Sequence, residues 1–129
     1  MNRLDYPYDE TYLPAIPIVS IAIDGYSGRP LRSVVAQVDS GADGTMIPID
    51  MLQVVGALLE DTVYMRGVVG DSELVDRYTV GLQLGPLMLH GIHAVALPAG
   101  EESIIGRDVL NDLIVILNGP AFTTQIELE

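Results

Sequence analysis

Apolar and polar positions alternate with period two along most of this chain, as they do in strands that lay one face on a core. The alternation is clear in Ile16-Pro17-Ile18-Val19-Ser20-Ile21-Ala22-Ile23 and resumes from Leu31 to Val38. Asp24-Gly25, Gly28 and Pro30 mark a turn region between them, so the pair reads as a hairpin with a long loop. Met46-Ile47 is a candidate short strand. Ile49 to Val55 fits one or two helical turns, with Pro48 near the start and Gly56 just past the end. A longer hairpin is expected from Thr62 to Leu84. Its tip would be Gly67-Val68-Val69-Gly70, with Tyr78, Val80, Leu82 and Leu84 alternating on the return arm. Leu87 to Leu97 again reads as strand, and Pro98-Ala99-Gly100 as loop. Asp108 to Leu113 reads as a short helix and Ile114 to Leu117 as a buried strand. Phe122 to Leu128 forms a last strand after the turn Asn118-Gly119-Pro120.

Many short strands with one clear C-terminal helix predict a mostly β, closed barrel-like domain over residues 16–129. Two strand–turn halves, each ending in a short helix, suggest internal duplication. Residues 1–15 mix Tyr6, Tyr8 and Tyr12 with Asp5, Asp9, Glu10, Pro7 and Pro14, which reads as an irregular N-terminal arm.

Composition narrows the chemistry. Hydrophobic residues make up 49% of the 129, enough for one core without metal or disulfide staples. Cysteine is absent, which removes disulfides, thiolate metal sites and cysteine catalysis. Arginine supplies all six basic residues against eighteen acids, giving a net charge of −12. That balance speaks against nucleic acid or an anionic membrane as partner. Met1-Asn2-Arg3-Leu4-Asp5 lacks the form of a signal peptide, and no apolar run is long enough to span a bilayer, so a cytoplasmic location is expected. His90 and His93 stand on a segment read as strand, with no third convincing ligand, and no metal or other cofactor is expected. The serines lack a nucleophile-elbow setting, and the glycines do not form a phosphate loop.

The remaining candidate is Val35-Ala36-Gln37-Val38-Asp39-Ser40-Gly41-Ala42-Asp43, which delivers a carboxylate at the end of an apolar strand, followed by small residues. By itself Asp-Ser-Gly is a common turn. Its company gives it meaning: a glycine-tipped hairpin at Gly67-Val68-Val69-Gly70, then Ile104-Ile105-Gly106-Arg107-Asp108-Val109-Leu110 leading into a helix. In that order these segments resemble the retropepsin-like (retroviral-type) aspartic peptidases, over roughly residues 16–128.

The resemblance implies the retropepsin-like acid-protease fold, active as a homodimer. It implies Asp39 as the catalytic acid, with Ser40 bonding toward the second subunit and Gly41 touching substrate backbone. It further implies that Ala42 and Asp43 line the cleft, that Asp43 pairs with Arg107 near the dimer axis, and that Gly67, Val68, Val69 and Gly70 form a flap over a peptide substrate. The family usually has Asp-Thr-Gly or Asp-Ser-Gly, so Ser40 is within pattern, whereas Val68 and Val69 make this tip less glycine-rich than many. Asp5, Asp9, Asp50, Asp61 and Asp112 lack the Asp39 setting, so a paired carboxylate must come from a second copy. The competing reading is a catalytically silent retropepsin-like module for dimerisation or peptide binding, with the N-terminal arm able to occupy the cleft.

Overall fold

Each half of the chain lends one strand to the other, and this exchange closes the barrel. The computed structural model describes residues 2–66 and 70–128. In order the elements are β1 (Arg3–Pro7), β2 (Ile18–Asp24), β3 (Arg32–Val38), β4 (Met46–Pro48), α1 (Ile49–Val54), β5 (Leu58–Arg66), β6 (Ser72–Leu84), β7 (Leu87–Leu97), β8 (Ser103–Ile105), α2 (Arg107–Leu110), β9 (Ile114–Asn118) and β10 (Thr123–Glu127).

A seven-stranded sheet runs β2-β3-β8-β4-β7-β6-β5, and β2 also pairs with β6, so β2, β3, β8, β4, β7 and β6 form a closed ring. Within it β3 runs parallel to β8, with Ala36, Gln37 and Val38 opposite Ser103, Ile104 and Ile105. Reciprocally, β4 runs parallel to β7, with Met46, Ile47 and Pro48 opposite Val95, Ala96 and Leu97. The halves β2-β3-β4-α1 and β6-β7-β8-α2 are thus related by a local two-fold arrangement. Outside the ring, β5 extends β6 into a long antiparallel hairpin whose last pair is Arg66 with Ser72.

The alternation has its expected physical result. Val19, Ile21 and Ile23 of β2 and Val80, Leu82 and Leu84 of β6 point inward and are buried with Ile47, Leu52, Ile92, Ala94, Ile105 and Val109. Helix α1 ends at Gly56, whose φ of +69° suits glycine. The amide of Gly56 donates to the Gln53 carbonyl and that of Ala57 to the Leu52 carbonyl, a Schellman closure that satisfies two end carbonyls. Side-chain atoms of Ser27 lie 2.8 Å from where a Gly56 Cβ would stand, so the same glycine lets the β2–β3 loop dock on the helix end.

Two expectations differ from the structure. Arg3–Pro7 is not irregular: it is β1, antiparallel to β10 from Arg3 opposite Glu127 to Pro7 opposite Thr123. Ile114 to Leu117 does form a strand, but not a buried one, since Ile114, Ile116 and Leu117 are all exposed. Strand β9 lies at the edge of a separate three-stranded sheet, β1-β10-β9, where among the described residues only its β10 side is paired. Among the described residues no helix is long and apolar enough to cross a membrane.

Leu52 is the one buried residue of α1. Leu52→Ala is expected to lower the unfolding free energy by about 2–5 kcal/mol. The exposed neighbour change Gln53→Ala is expected to stay within about 0.5 kcal/mol, both read from urea unfolding curves.

Candidate active site

Strand β3 stops at Val38, and the backbone turns at once. The Asp39 amide donates to the Ile105 carbonyl of β8 at 3.0 Å, so the last rung of the parallel pair sets where the carboxylate leaves the barrel. The Ala42 amide donates to the Asp39 carbonyl at 3.2 Å, and the Gly41 amide donates to Asp39 Oδ1 at 2.9 Å. The tripeptide is therefore an Asx-type turn, with one carboxylate oxygen held by its own loop.

Helix α2 holds this loop from the other half of the chain. The Arg107 amide donates to the Ala42 carbonyl at 2.9 Å and the Asp108 amide to the Asp43 carbonyl at 3.3 Å. The Arg107 guanidinium donates through Nη1 to the Ser40 carbonyl at 2.8 Å and through Nη2 to Asp43 Oδ1. A planar fork suits this task, because it can reach a carbonyl and a carboxylate at once. Asp108 makes the second link: its carboxylate accepts from the Thr45 amide at 3.0 Å, the Thr45 hydroxyl at 2.9 Å and the Val109 amide at 2.9 Å. Thr45 is fully buried, and these bonds offset the cost of burying its hydroxyl.

Gly106 is the point of closest approach. A Cβ there would stand 2.6 Å from the Gly44 carbonyl carbon and oxygen and 2.9 Å from the Ala42 oxygen, all backbone. No side chain fits without moving the 39–45 loop.

Beside this loop, the β5–β6 hairpin and β7 enclose a cavity of about 460 Å³. Val63, Met65, Val75, Ile92 and Val95 give it an apolar lining, while Asp43, Arg77 and Asp108 stand among its polar groups. Arg77 and Asp61 sit directly opposite on β6 and β5. Arg77 donates to both carboxylate oxygens of Asp61, Nε to Oδ1 at 2.8 Å and Nη2 to Oδ2 at 2.6 Å. These bonds hold the Asp61 carboxyl below its ordinary range; desolvation opposes them, and the Arg77 charge reinforces them. A bulge between Leu59 and Asp61 leaves Glu60 unpaired in the ladder, and its carboxylate contacts His93 Nδ1 on β7. His90 faces elsewhere, with Nδ1 3.1 Å from the Tyr26 hydroxyl.

The site residues read from the sequence fall into two groups. Asp39, Ser40, Gly41, Ala42, Asp43 and Arg107 are brought together at the ends of β3 and β8. Gly70, with φ +92°, lies at the β5–β6 turn, while Gly67, Val68 and Val69 lie outside the described residues. Sequence reasoning had not assigned the Asp61–Arg77 brace or the Thr45–Asp108 link. Sixteen residues separate the first pair and sixty-three the second, and neither spacing has a local signature.

The sequence pattern of a family described as aspartyl protease matches residues 19–109, from β2 through most of α2. This chain belongs to the aspartyl protease family. Its fold is retropepsin-like. A retropepsin-like aspartic protease from Rickettsia conorii superposes with a TM-score of 0.64 at 12% identity, covering 96% of this chain and 89% of that one. The protease of EIAV, solved in complex with the inhibitor HBY-793, superposes with a TM-score of 0.55 at 17% identity, covering 75% and 86%. No curated protein sequence matches the chain.

Two outcomes test this geometry. Gly106→Ala should displace the aspartyl protease loop and lower stability by about 1–3 kcal/mol, seen as a reduced melting temperature and as faster amide exchange at residues 39–45. The second concerns pH. A depressed carboxylate adds stability that is present above its unfolded pKa of about 3.9 and lost as pH falls through its lower folded value. Asp61→Asn should therefore weaken hydrogen-exchange protection of the β5–β6 hairpin near neutrality. That difference from the wild type should close in acid, and one that persisted there unchanged would contradict the brace.

Proposed function

We propose that the protein is a homodimeric aspartic endopeptidase, in which Asp39 of each subunit supplies one of two facing catalytic carboxyls. The carrying observation is that the local two-fold of the chain is not matched by its chemistry. Asp39-Ser40-Gly41 follows β3, whereas the corresponding position after β7 is Pro98-Ala99-Gly100. A single chain thus holds half of a carboxyl pair, and a second copy related by a two-fold axis completes it.

Water is a poor nucleophile and an amide a poor electrophile. In the proposed dimer one carboxylate takes a proton from water as the water attacks the scissile carbonyl, while the protonated partner gives a proton to the carbonyl oxygen. Two carboxyls held about 3 Å apart resist ionising together and share one proton, so their titration belongs to the pair. Activity is accordingly expected on the acid side of neutrality. The Ser40 hydroxyl makes no hydrogen bond within the described residues, and we assign it a bond to the partner loop. Gly41, with no side chain, leaves room for substrate backbone.

An extended peptide would lie between this loop and the β5–β6 hairpin, bonding by its main chain as a strand does. In this reading Gly67, Val68, Val69 and Gly70 form the flap tip, and Ala42 and Asp43 border the cleft. The cavity lined by Val63, Met65, Val75, Ile92 and Val95 favours an apolar side chain on the substrate.

The test is a peptide-library digest of the wild type and Asp39→Asn across the acid range, with sedimentation run in parallel. Asp39→Asn should lose at least about 10²–10⁴-fold in cleavage while retaining the fold and the dimer. Equal cleavage by the variant would overturn the mechanism. A wild type that stays monomeric at micromolar concentration yet cleaves peptides would overturn the shared site. A dimer that cleaves nothing would favour the silent peptide-binding module instead.

A further inference from the structure

Asp39 does not stand alone on its face of the barrel. Side chains alternate along β3, so Val35, Gln37 and then Asp39 point outward, while Ala36 and Val38 turn to the core. Roughly 7 Å of strand separates Gln37 from Asp39. Gln37 Nε2 donates to Glu102 Oε2 at 2.6 Å, and the Tyr12 hydroxyl donates to Glu102 Oε1. Glu102 directly precedes β8, whose Ser103 lies opposite Ala36. Tyr12 comes from the loop that Asp9 and Ile16 close by exchanging backbone hydrogen bonds. Distant segments of the chain thus hold one carboxylate beside the strand that delivers Asp39.

We infer that Glu102 is a specificity-determining residue that selects a lysine or arginine side chain flanking the scissile bond of the substrate, with Tyr12 and Gln37 as positioning residues. This rests on the peptidase reading above and names the class of peptide that its site takes.

Three observations favour a cationic side chain. First, Glu102 is fixed in place but not neutralised: among the described residues no arginine is paired with it. A carboxylate has about four lone-pair sites, so the bonds from Gln37 and Tyr12 leave it able to accept others. Second, a cavity of about 260 Å³ opens beside it, with Val35, Pro48 and Met51 on its apolar side and Asp50 and Glu101 joining Glu102 among its polar groups. Apolar walls under a charged rim fit the aliphatic stem and cationic head of Lys or Arg. Third, the net charge of −12 draws cationic peptides toward the molecule. The cavity beneath the β5–β6 hairpin differs. It borders Asp43 and Gly44, beyond Asp39, and its arginine, Arg77, is already committed to Asp61. An extended peptide passing Asp39 therefore meets an apolar pocket on one side and an anionic one on the other. In the dimer the two-fold axis repeats this arrangement on both flanks of the scissile bond.

The test compares cleavage of peptides that are identical except for Lys, Leu or Glu at a residue flanking the scissile bond. The wild type should give its highest kcat/KM with Lys and its lowest with Glu. Glu102→Gln, which keeps the shape, should cut the Lys-to-Leu ratio about 10-fold, the worth of one hydrogen bond to a charged group. Glu102→Lys should bring the Glu peptide above the Lys peptide, and if that variant unfolds, Glu102→Gln still decides. Asp112→Asn, the same loss of charge at an exposed position just past α2, should leave the ratio as it is in the wild type. Tyr12→Phe frees Glu102 to swing and should raise KM for the Lys peptide more than for the Leu peptide. An equal rise in both would make Tyr12 a structural brace and overturn its positioning role. A wild type that prefers Leu or Glu, or a Glu102→Gln variant with an unchanged ratio, would overturn the inference while leaving the peptidase standing. A wild type that cleaves nothing would overturn the peptidase, and the preference is then read as Kd from the fluorescence anisotropy of labelled apolar peptides with and without lysine. Equal Kd values, or no binding, would overturn the role of Glu102 as well.

Discussion

The amide of Asp39 donating to the carbonyl of Ile105 is the bond on which the rest of the site depends. It is the last rung of a parallel pair formed by strands from opposite halves of the chain, and it fixes where the loop begins. Parallel pairing at that place requires the crossover that carries β4, α1 and the long hairpin around the barrel. Beyond it, Arg107 and Asp108 hold the loop through six of its groups: the carbonyls of Ser40, Ala42 and Asp43, the Asp43 carboxylate, and the Thr45 amide and hydroxyl. Position thus comes from backbone bonds, and rigidity from the later helix.

The sequence made much of this fold legible because most strands are half-buried and alternate cleanly. Leu87 to Leu97, Met46-Ile47 and the helix bounded by Pro48 and Gly56 could be read from local chemistry, since turn residues, period and caps are local signals. Strand β1 could not. Tyr, Asp and Pro at positions 5–8 look irregular, and Arg3–Pro7 becomes a strand because Thr123–Glu127 lies beside it. The burial of β9 was misread for a related reason. A continuous run such as Ile114-Val115-Ile116-Leu117 resembles a strand covered on both faces. Whether that cover belongs to the same chain is not written in the run itself.

At the candidate site, sequence order was informative where contacts are made by contiguous motifs. Asp39-Ser40-Gly41 and Gly106-Arg107-Asp108 each stand out, and the barrel brings them together. Contacts set by strand register were not visible. The Asp61–Arg77 brace depends on a bulge that shifts β5 past β6, and Glu60 reaches His93 because that bulge frees it from the ladder. One residue more or less in β5 would face Asp61 away from Arg77. The apolar cavity likewise draws on β5, β6 and β7 together, so no single stretch reveals it.

The reciprocal exchange of strands also governs when a newly made chain acquires its loop. Ser40 and Arg107 are 67 residues apart, and β3 has no parallel neighbour until Ser103–Ile105 has been synthesised. Pairings of such sequence separation form late, because loop closure must precede their reward. A nascent chain still attached before residue 103 therefore carries Asp39 on an unsupported turn. The loop therefore sets only when almost the whole domain has left the ribosome.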